Sequence, residues 1–434
     1  MTDSVNSREL ILSILLSVTR DGEYSHLAIA GVLEKYQYLD KQERAFITRV
    51  SEGTIEHMIE LDYILNQYSK VRVNKMKPVI RCIMRSAVYE MKYMDSVPLS
   101  ASCNEAVKLA KKKGFTNLTG FVNGVLRNIG RNLENLAYPS KEKDMKQYIS
   151  VTCSLPEWLI DLWAKDYSMT QIEQMGQAFL VEAPLTIRTN LTRITPEDLS
   201  RRLEEKGITV KQDKELSYAL HISGVDYLAG LSEFAEGLFY VQDISSMRVA
   251  QAAQVAKGAC VIDVCGAPGG KSIHIAQQLD GSGQVVTRDV SAYKVGLIED
   301  NIARCQVTNM QAEQWDAREL DEASVGKADV VIADLPCSGL GVLRKKTDIK
   351  YKMNLEKIDS LVLLQRQILA VAAKYVKAGG SLIYSTCTID RQENEENVTW
   401  FLQEQPDYSL EGMEQILPDI SGNDGFFIAK LRKQ

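Results

Sequence analysis

Histidine is scarce in this chain, and its scarcity excludes several kinds of catalytic site. Among 434 residues there are only four histidines, and none has the spacing of a metal ligand. They are His26, His57, His221 and His274. Zinc chemistry and triads that use a histidine base are therefore disfavoured, and we expect no metal site.

Paired cysteines, a signal peptide and long hydrophobic runs are also missing. The eight cysteines are scattered and include no C-x-x-C pair. No apolar run is long enough for a membrane span. We therefore expect a cytoplasmic protein with reduced thiols and no membrane association. The composition, 45% hydrophobic and 25% charged, is typical of a globular protein, and the length suggests about two to four domains.

Positive charge is concentrated in one part of a chain whose net charge is −6. Residues 71–150 contain 15 Lys and Arg against 6 Asp and Glu, a local net charge of +9, so the remainder carries −15. In this stretch Lys111, Lys112, Lys113 and Arg127 could form a face that contacts nucleic-acid phosphates. Taken alone, the stretch fits an ordinary solvated helical face better.

The first third of the chain has the pattern of a helical bundle. Residues 1–135 show apolar residues at helical spacing with short polar connections, which predicts a compact all-α domain. Within it, the pattern over residues 40–65 predicts one continuous helix. Residues 134–155 lose the apolar pattern and carry Pro139 and several lysines, which predicts a charged linker.

A small mixed segment follows the predicted linker. Strand patterns at 185–188 and 208–211 surround a helix that starts at Thr195, and together they predict a small α/β layer. We therefore divide the chain into a helical domain, a linker with a small α/β subdomain, and a larger α/β domain. The boundaries are 1–135, 136–237 and 238–434.

The stretch from Val261 to Ser272 joins a short buried strand to an amphipathic helix through a glycine turn. In an open parallel sheet such a turn lies at the carboxyl edge, where the N–H groups of a helix start meet ligands. We therefore expect a cofactor at this turn. The turn residues are Cys265, Gly266, Ala267, Pro268, Gly269, Gly270 and Lys271.

The spacing of the turn narrows the choice of cofactor. A phosphate-binding P-loop, G-x-x-x-x-G-K-[ST], would be one residue longer, and the dinucleotide fingerprint G-x-G-x-x-G is absent. What remains is a tight turn beside Asp263, suited to the amino-acid end of S-adenosylmethionine. The turn alone fits an ordinary strand-to-helix connection equally well.

Strand and helix alternate from residue 259 to residue 386, which predicts a doubly wound, Rossmann-like α/β sheet. Asp289 and Asp334 each end a predicted strand and Cys387 directly follows another, so these side chains should meet beside the glycine turn. Asp289 has the spacing of a carboxylate that binds ribose hydroxyls, with a helix N-cap as the alternative. Asp316, in a loop, could accept from an adenine amino group or be merely solvated.

Two independent parts of the chain resemble one known family. The run 97–113, with Gly120-Phe-Val-Asn-Gly-Val-Leu-Arg-Asn128, closely resembles the NusB-like RNA-binding domain of bacterial ribosomal RNA cytosine methyltransferases, the RsmB or Sun family. The glycine turn, Asp334-Leu-Pro-Cys-Ser-Gly339 and Ser385-Thr-Cys-Thr388 look like the motifs of RNA 5-methylcytosine methyltransferases. The resemblance spans nearly the whole chain.

The two cysteine motifs suit the chemistry that the resemblance implies. Cytosine C5 is too weak a nucleophile to take a methyl group directly, but a thiolate that adds at C6 turns the ring into an enamine. By resemblance, Cys387 is the nucleophile, Cys337 assists breakdown of the covalent adduct, and Asp334 holds and polarises the cytosine edge. Either cysteine alone would more often be a buried structural thiol.

The resemblance also implies ligands and partners. S-adenosylmethionine would be bound by the glycine turn together with Asp289, Asp316 and Asp334, and the substrate would be a flipped cytosine of small-subunit (16S) ribosomal RNA. RNA phosphates would be contacted by basic residues of the helical domain and of a loop after the first cysteine motif. These residues are Lys111, Lys112, Lys113, Arg127, Arg344, Lys345 and Lys346, with Lys350 and Lys352 in the same loop. We expect a monomer with an all-α NusB-like domain, a small α/β pre-catalytic subdomain and a Rossmann-like methyltransferase domain.

Two other functions remain open at this point. An RNA-dependent ATPase with a P-loop-like turn would use Lys271, Ser272 and Asp334 with magnesium, and would bind ATP instead of S-adenosylmethionine. A non-catalytic NusB-like RNA-binding factor would not need its two cysteine motifs, so replacing both cysteines would leave its function intact.

Overall fold

The computed structural model describes residues 6–182, 185–225 and 227–434, which form two compact units. The helical unit comprises the described part of Met1–Leu180 together with Leu343–Lys352. The sheet unit comprises the described part of Val181–Val342 together with Met353–Gln434. The first five residues of the predicted domain 1–135 lie outside the described residues.

The helical unit is an all-α bundle, as the apolar spacing predicts. Its central helix, Pro78–Tyr93, has proline at its start, where no backbone hydrogen bond is lost, and buries Ile80, Ile83, Met84 and Val88 in the core. The other helices are Ser7–Thr19, Ser25–Lys35, Lys41–Glu56, Met58–Tyr68, Leu99–Lys112, Thr119–Arg131, Met145–Thr152, Glu157–Trp163, Met169–Leu180 and Ile349–Lys352, with 3-10 turns at Val73–Lys75, Thr116–Leu118 and Leu133–Asn135.

The single helix predicted over residues 40–65 is two helices, which meet at His57. The His57 backbone leaves the helical region, with φ −93° and ψ 15°. Its ring stacks on Tyr93 at 4.2 Å between centroids, and its Nδ1 lies 3.2 Å from Glu60 Oε2. The break therefore falls at a residue whose side chain makes tertiary contacts, which apolar spacing does not reveal.

The segment predicted as a charged linker, residues 134–155, contains the helix Met145–Thr152. Asp144 caps this helix by accepting a hydrogen bond from the Gln147 N–H at 2.9 Å. Ile149 and Val151 are buried. The linker prediction is therefore wrong for these residues, because a short helix needs only two or three apolar side chains to pack against its neighbours.

A segment from late in the sequence, Leu343–Lys352, completes the helical unit. The buried carboxylate of Asp348 accepts hydrogen bonds from the Ser25 N–H at 3.0 Å and the Ser25 hydroxyl at 2.7 Å. The Lys350 ammonium, also buried, donates to the Glu56 carbonyl at 2.8 Å. The bundle therefore binds this segment through specific polar contacts.

The sheet unit begins with a small antiparallel sheet. Its strands are β1 (Leu185–Thr189), β2 (Thr209–Gln212), β3 (Ala219–Ser223) and β4 (Phe239–Val241), in the order β2-β3-β1-β4. The helix Pro196–Glu204, capped by the Thr195 hydroxyl, packs Leu199 and Leu203 on the sheet. The predicted strands and helix of this layer are confirmed. β4 lies beyond residue 237, the predicted end of this subdomain, yet it pairs with β1. Ile187 of β1 and Val241 of β4 are register partners.

The large sheet has seven strands in the order β10-β11-β9-β8-β5-β6-β7. Its strands are β5 (Cys260–Asp263), β6 (Gln284–Asp289), β7 (Met310–Gln314), β8 (Ala328–Asp334), β9 (Val376–Thr386), β10 (Tyr408–Ile416) and β11 (Phe426–Lys433). β5 to β9 pair in parallel, and β11 is antiparallel to both neighbours. The remaining helices of the unit are Ser232–Ala235, Ile244–Ala253, Gly270–Leu279, Ala292–Cys305, Leu355–Tyr375 and Glu395–Glu404, with a 3-10 turn at Leu228–Gly230 and another at Glu322–Ser324.

Both faces of the large sheet are covered. Val331 and Leu382 belong to one hydrophobic cluster, whereas Ile332 and Ile383, the next residues along the same strands, belong to another. Strands buried on both faces need a continuous apolar sequence, which is the pattern that these strands have. The doubly wound fold is therefore confirmed. In the described part of the chain, no helix has the length and hydrophobicity to cross a membrane.

Candidate active site

Three carboxylates end neighbouring strands at one edge of the large sheet. Asp263 ends β5, Asp289 ends β6 and Asp334 ends β8. β5 pairs in parallel with both β6 and β8, so the three side chains come to the same carboxyl edge. Cys387 follows Thr386, the last residue of β9. The structure therefore brings together the strand-end residues that the sequence singles out.

Asp334 and Lys271 form a largely buried ion pair at this edge. The Lys271 Nζ lies 2.6 Å from Asp334 Oδ2, and the Ser385 hydroxyl donates to Asp334 Oδ1 at 2.7 Å. Burial acts to lower the pKa of Lys271, but the Asp334 carboxylate more than offsets it, and the net pKa is raised. Lys271 is thus a charged side chain held by a carboxylate, which is the opposite of a lysine left free for phosphate.

The two motif cysteines lie next to each other. Cys337, in the loop after β8, has its Sγ 3.3 Å from the Cys387 Sγ, and both are free thiols. The adjacent Cys387 and burial raise the pKa of Cys337 well above its ordinary value. Cys337 therefore holds its proton at neutral pH.

A buried carboxyl group supports the cysteine loop from behind. Glu393 Oε2 accepts the Ser338 N–H at 2.9 Å and the Gln365 side-chain amide at 2.9 Å. Burial raises the pKa of Glu393. Sequence reasoning missed this residue, because only the fold brings Glu393 to the residue after Cys337.

A close backbone contact joins the two cysteine loops. The Gly341 N–H donates to the Cys387 carbonyl at 3.0 Å, and the Gly425 N–H donates to the Gly341 carbonyl at 2.8 Å. A Cβ added at Gly341 would lie 2.1 Å from the Gly425 carbonyl oxygen. Glycine is therefore required at position 341 by contact and not only by chain flexibility.

The glycine turn, residues 265–271, is held tightly against β5 and β6. The Gly266 N–H donates to the Arg288 carbonyl at 2.9 Å, and a Cβ at Gly266 would lie 2.7 Å from Asp263 Oδ2. Gly269 has φ +103°, in the left-handed region, and the Ala267–Pro268 peptide bond is cis. The turn then enters the helix Gly270–Leu279, whose start has no side-chain cap.

Asp263 lies directly under this turn. Its carboxylate accepts hydrogen bonds from the Ser272 hydroxyl and, at 3.4 Å, from the Cys265 N–H. Burial raises the pKa of Asp263 to about 6. Burial likewise raises the pKa of the Cys265 thiol. Cys265 is therefore an inert turn residue, and its backbone is the part that could meet a ligand.

Asp289 and Asp316 lie at adjoining strand ends. The Trp315 N–H donates to the Asp289 carbonyl at 3.1 Å, which places Asp316 one residue from that contact. Asp289 accepts from the Ser291 N–H at 3.3 Å and is nearly buried, whereas Asp316 pairs with Arg318 at 2.6 Å. The N-cap position of the next helix is Ser291, so the N-cap alternative for Asp289 is wrong.

Sequence reasoning assigned no role to Arg288, and the structure provides a structural one. Its guanidinium pairs with Glu313 at 2.9 Å and with Asp321 at 2.6 Å. It also lies over the rings of Trp315 and Tyr375. Arg288 thus ties β6 to β7 and to the segment before β8.

The basic residues predicted to bind RNA fall into two groups. Lys112 and Lys113 pair with Glu9 at 2.8 and 3.2 Å, while Lys111 and Arg127 are exposed. Arg127 also lines a cavity of about 250 Å³ beside Arg131. Lys111 and Arg127 therefore lie at the surface of the helical unit, whereas Lys112 and Lys113 are held by a carboxylate.

In the second basic group, only Lys345 and Lys346 are exposed. Arg344 donates to the Ala178 carbonyl at 2.6 Å. Lys350 is buried, and Lys352 pairs with Asp348 at 2.7 Å. The expected basic loop is therefore limited to Lys345 and Lys346. Arg344, Lys350 and Lys352 already bind oxygen atoms of the protein, so the expectation that they face RNA phosphate is wrong.

Three family models match successive parts of the chain. Residues 5–131 match the NusB family, residues 155–225 match the ferredoxin-like domain of RsmF/B-like methyltransferases, and residues 250–432 match the 16S rRNA methyltransferase RsmB/F. The solved chain described as "Crystal Structure of PH0851" shares the fold, with a TM-score of 0.81 at 24% identity over 99% of each chain. Fold and site together define an RNA methyltransferase preceded by a NusB-type domain.

Full-length relatives narrow the class to a family. The "Probable ribosomal RNA small subunit methyltransferase B" of Bacillus subtilis (strain 168) is 35% identical, covering 98% of both chains. The protein of the same name from Synechocystis sp. is 31% identical, covering 99% of this chain and 100% of the relative. The chain belongs to the ribosomal RNA small subunit methyltransferase B family.

Membership of this family makes the protein a methyltransferase, and neither alternative function is supported. The ATPase alternative needs a lysine free for phosphate, whereas Lys271 is bound to Asp334. The non-catalytic alternative does not explain the matched methyltransferase domain. Within the described ranges, no group of three or more His, Cys, Asp or Glu side chains could hold a metal ion.

Proposed function

We propose that this protein transfers the methyl group of S-adenosylmethionine to C5 of one cytosine in 16S ribosomal RNA, through a covalent bond between Cys387 and C6. The observation that carries the proposal is the 3.3 Å separation of the Cys337 and Cys387 sulfurs beside the Lys271–Asp334 ion pair. A base in this place would meet a nucleophile, a proton carrier and a carboxylate at once.

The charge of the sheet edge suits S-adenosylmethionine. This cofactor carries a positive sulfonium and a positive ammonium group, together with ribose hydroxyls, and it supplies the methyl group when bound. Asp263, Asp289, Asp316 and Asp334 provide carboxylates at or just after four strand ends. The glycine turn, residues 265–271, and an uncapped helix start provide N–H groups for its carboxylate.

Cys387, Asp334 and Cys337 have separate roles in the proposed reaction. The Cys387 thiolate adds to C6, which forms the S–C6 bond and makes C5 nucleophilic. Asp334, held by Lys271 and Ser385, accepts from the amino edge of the cytosine and keeps the ring in place. After methylation the C5–H and S–C6 bonds break, the C5=C6 double bond re-forms, and the electron pair of the S–C6 bond returns to the Cys387 sulfur. Cys337, protonated and with its sulfur 3.3 Å from that of Cys387, donates its proton to the departing sulfur and takes up the C5 proton in its place, so both thiols end protonated.

Replacing each cysteine separately tests this division of roles. We expect Cys387→Ala to abolish methylation without forming any adduct. We expect Cys337→Ala to accumulate a protein–RNA adduct that survives denaturing electrophoresis, because breakdown lacks its proton carrier. Cys260→Ala is the matched control, since Cys260 starts β5 at the opposite edge of the sheet. Bisulfite sequencing of 16S RNA measures the product, and an adduct in Cys387→Ala would refute the assignment.

The remaining expectations belong to the same proposal. We propose a monomer that acts in the cytoplasm. Lys111, Lys112, Lys113, Arg127, Lys345 and Lys346 would contact RNA phosphates. Charge supports this part, because residues 71–150 carry a net charge of +9 while the rest of the chain is acidic.

A further inference from the structure

A buried arginine in the small sheet has no acidic partner among the described residues. Arg188, in β1, is 1% exposed. Its Nη1 donates to Gln242 Oε1 at 2.6 Å and to the Gly270 carbonyl at 3.0 Å, while its Nε and Nη2 have no hydrogen-bond partner in the described part of the chain. Burial lowers the pKa of Arg188 to about 10. A buried, incompletely paired cation is costly, so its retention calls for a reason.

The contacts of Arg188 lead to the glycine turn, residues 265–271. Gly270 is the first residue of the helix that follows the turn. Tyr240, the register partner of Arg188 on β4, donates its hydroxyl to the Pro268 carbonyl at 3.1 Å. The Arg188 guanidinium lies 5.7 Å from the centroid of the Tyr240 ring. One cross-strand pair of the small sheet thus binds two backbone carbonyls of the turn.

The Tyr240 ring also fills the space beside the turn. A Cβ at Gly270 would lie 2.9 Å from this ring. The backbone of the turn is therefore packed against the small sheet as well as hydrogen-bonded to it. In a trans peptide the N–H points away from the carbonyl of the same peptide unit. Fixing the Gly270 carbonyl consequently fixes the direction of the Lys271 N–H at the helix start.

We propose that Arg188 and Tyr240 are positioning residues for the cofactor: they set the backbone of the glycine turn from the side of the small sheet. The proposal rests on the proposed function, in which S-adenosylmethionine binds at this turn. It gives the small sheet a part in cofactor binding in addition to any contact with RNA. It also accounts for the arginine, since a neutral side chain could not bond two oxygens at this depth with comparable strength.

Cofactor affinity of the full-length protein tests the proposal. We expect Arg188→Met to weaken binding of S-adenosylhomocysteine about tenfold or more, because a charge-assisted hydrogen bond to the turn is lost. Tyr240→Phe loses a neutral hydrogen bond and should weaken binding about threefold to tenfold. Arg188→Lys keeps the charge and should be intermediate. Isothermal titration calorimetry measures each dissociation constant, and filter binding of a 16S RNA fragment should give unchanged RNA affinity.

Arg193→Met is the matched control. Arg193 is exposed and also donates to a backbone carbonyl, that of Glu236, but it makes no contact with the turn in the described residues. Amide hydrogen exchange over residues 266–271 gives a second readout, which should speed up in the Arg188 and Tyr240 variants and stay at the wild-type rate in Arg193→Met. If Arg188→Met does not fold, Arg188→Lys and Tyr240→Phe decide the question.

The two possible failures are distinguishable. Unchanged cofactor affinity and unchanged exchange in folded Arg188→Lys and Tyr240→Phe would overturn the positioning role while leaving the proposed function intact. If the wild-type protein itself does not bind S-adenosylhomocysteine or S-adenosylmethionine, the proposed function fails, and the positioning role fails with it.

Discussion

The Lys271–Asp334 ion pair occupies the centre of the candidate active site. Each member satisfies the other in a place where an unpaired charge would be expensive, and Ser385 binds the second carboxylate oxygen. The pair therefore fixes the orientation of Asp334 before any base arrives. Preorganisation of this kind lowers the cost of binding a polar substrate edge.

Lys271→Met tests how much methylation depends on this pair. We expect the rate to fall about a hundredfold, because Asp334 loses a charge-assisted hydrogen bond and its fixed position. Lys257→Met is the control, since Lys257 pairs with Asp280 on the exposed surface, where an ion pair contributes little. Methyl incorporation into a 16S RNA fragment measures both. A loss of less than threefold for Lys271→Met would contradict the role.

Asp263 predicts a pH dependence of stability. Its pKa in the folded protein is about 6, above the value of about 3.9 for an unfolded chain. Folding thus favours the protonated form of Asp263. The contribution of protonated Asp263 to the free energy of unfolding is therefore complete below pH 4 and is lost as the pH rises through 6. Relative to Asp263→Asn, the wild-type protein should lose about 3 kcal/mol between pH 4 and pH 7.

Urea unfolding of both proteins across this pH range measures the difference. The comparison isolates Asp263, because all other titrating groups are common to the two proteins. A difference that does not vary with pH would show that burial does not perturb this carboxyl group.

Among the helices, one close contact in the bundle depends on a glycine. Gly53, in the helix Lys41–Glu56, faces Tyr89 of the central helix, and a Cβ there would lie 2.1 Å from the tyrosine ring. The ring is fully buried. Gly53 therefore sets how closely these two helices approach.

Gly53→Ala should destabilise the helical unit by about 2 to 4 kcal/mol, because overpacking outweighs the better helix propensity of alanine. Gly31→Ala is the matched control, since Gly31 lies on the helix Ser25–Lys35 with open space around it. That change should stabilise the protein by about 0.5 to 1 kcal/mol. Thermal unfolding followed by circular dichroism compares the two variants, and equal effects would contradict the packing argument.

The strands show which elements can be predicted from sequence. β5, β6, β8 and β9 carry apolar runs because they are buried on both faces, and all four were predicted. β7 is an edge strand, Met-Gln-Ala-Glu-Gln, in which only Met310 is buried, and β10 is the opposite edge. Edge strands lack the apolar signal, so neither was predicted.

The residues of the candidate active site likewise include some that the sequence predicts and some that it does not. Asp289, Asp334 and Cys387 were predictable because each follows an apolar strand, and parallel strands bring their ends together. Arg188 and Glu393 carry no local signal. Their roles depend on backbone groups that only the fold brings within reach. Arg188 meets the carbonyl of Gly270, and Glu393 meets the N–H of Ser338.

At the scale of the whole molecule, the chain order and the compact units do not coincide. Leu343–Lys352 belongs to the helical unit, although both of its ends continue into the sheet unit and it follows closely after Cys337 in the sequence. The segment is anchored by Asp348. Burial acts to raise the pKa of Asp348, but hydrogen bonds from Lys352 and Ser25 more than offset burial, so the pKa lies below its ordinary value. The RNA-binding domain predicted from the first 135 residues is therefore completed by residues of the methyltransferase sequence.

Asp348→Ala should release this segment. The change removes the acceptor of the Ser25 N–H and hydroxyl and of Lys352, which we expect to cost about 2 to 4 kcal/mol. Amide hydrogen exchange over residues 343–352 should accelerate in the full-length protein, and the helical unit should melt at a lower temperature. Asp40→Ala is the control, because Asp40 only caps the helix Lys41–Glu56 and should cost about 1 kcal/mol.

The control also separates local from general loosening. Asp40→Ala removes a hydrogen bond within the same unit but none to Leu343–Lys352, so exchange in the segment should stay at the wild-type rate. If both variants accelerate exchange there equally, the segment responds to the stability of the bundle as a whole. If only Asp348→Ala does so, the contacts with Ser25 and Lys352 hold the segment, and the helical unit requires chain on both sides of the first cysteine motif.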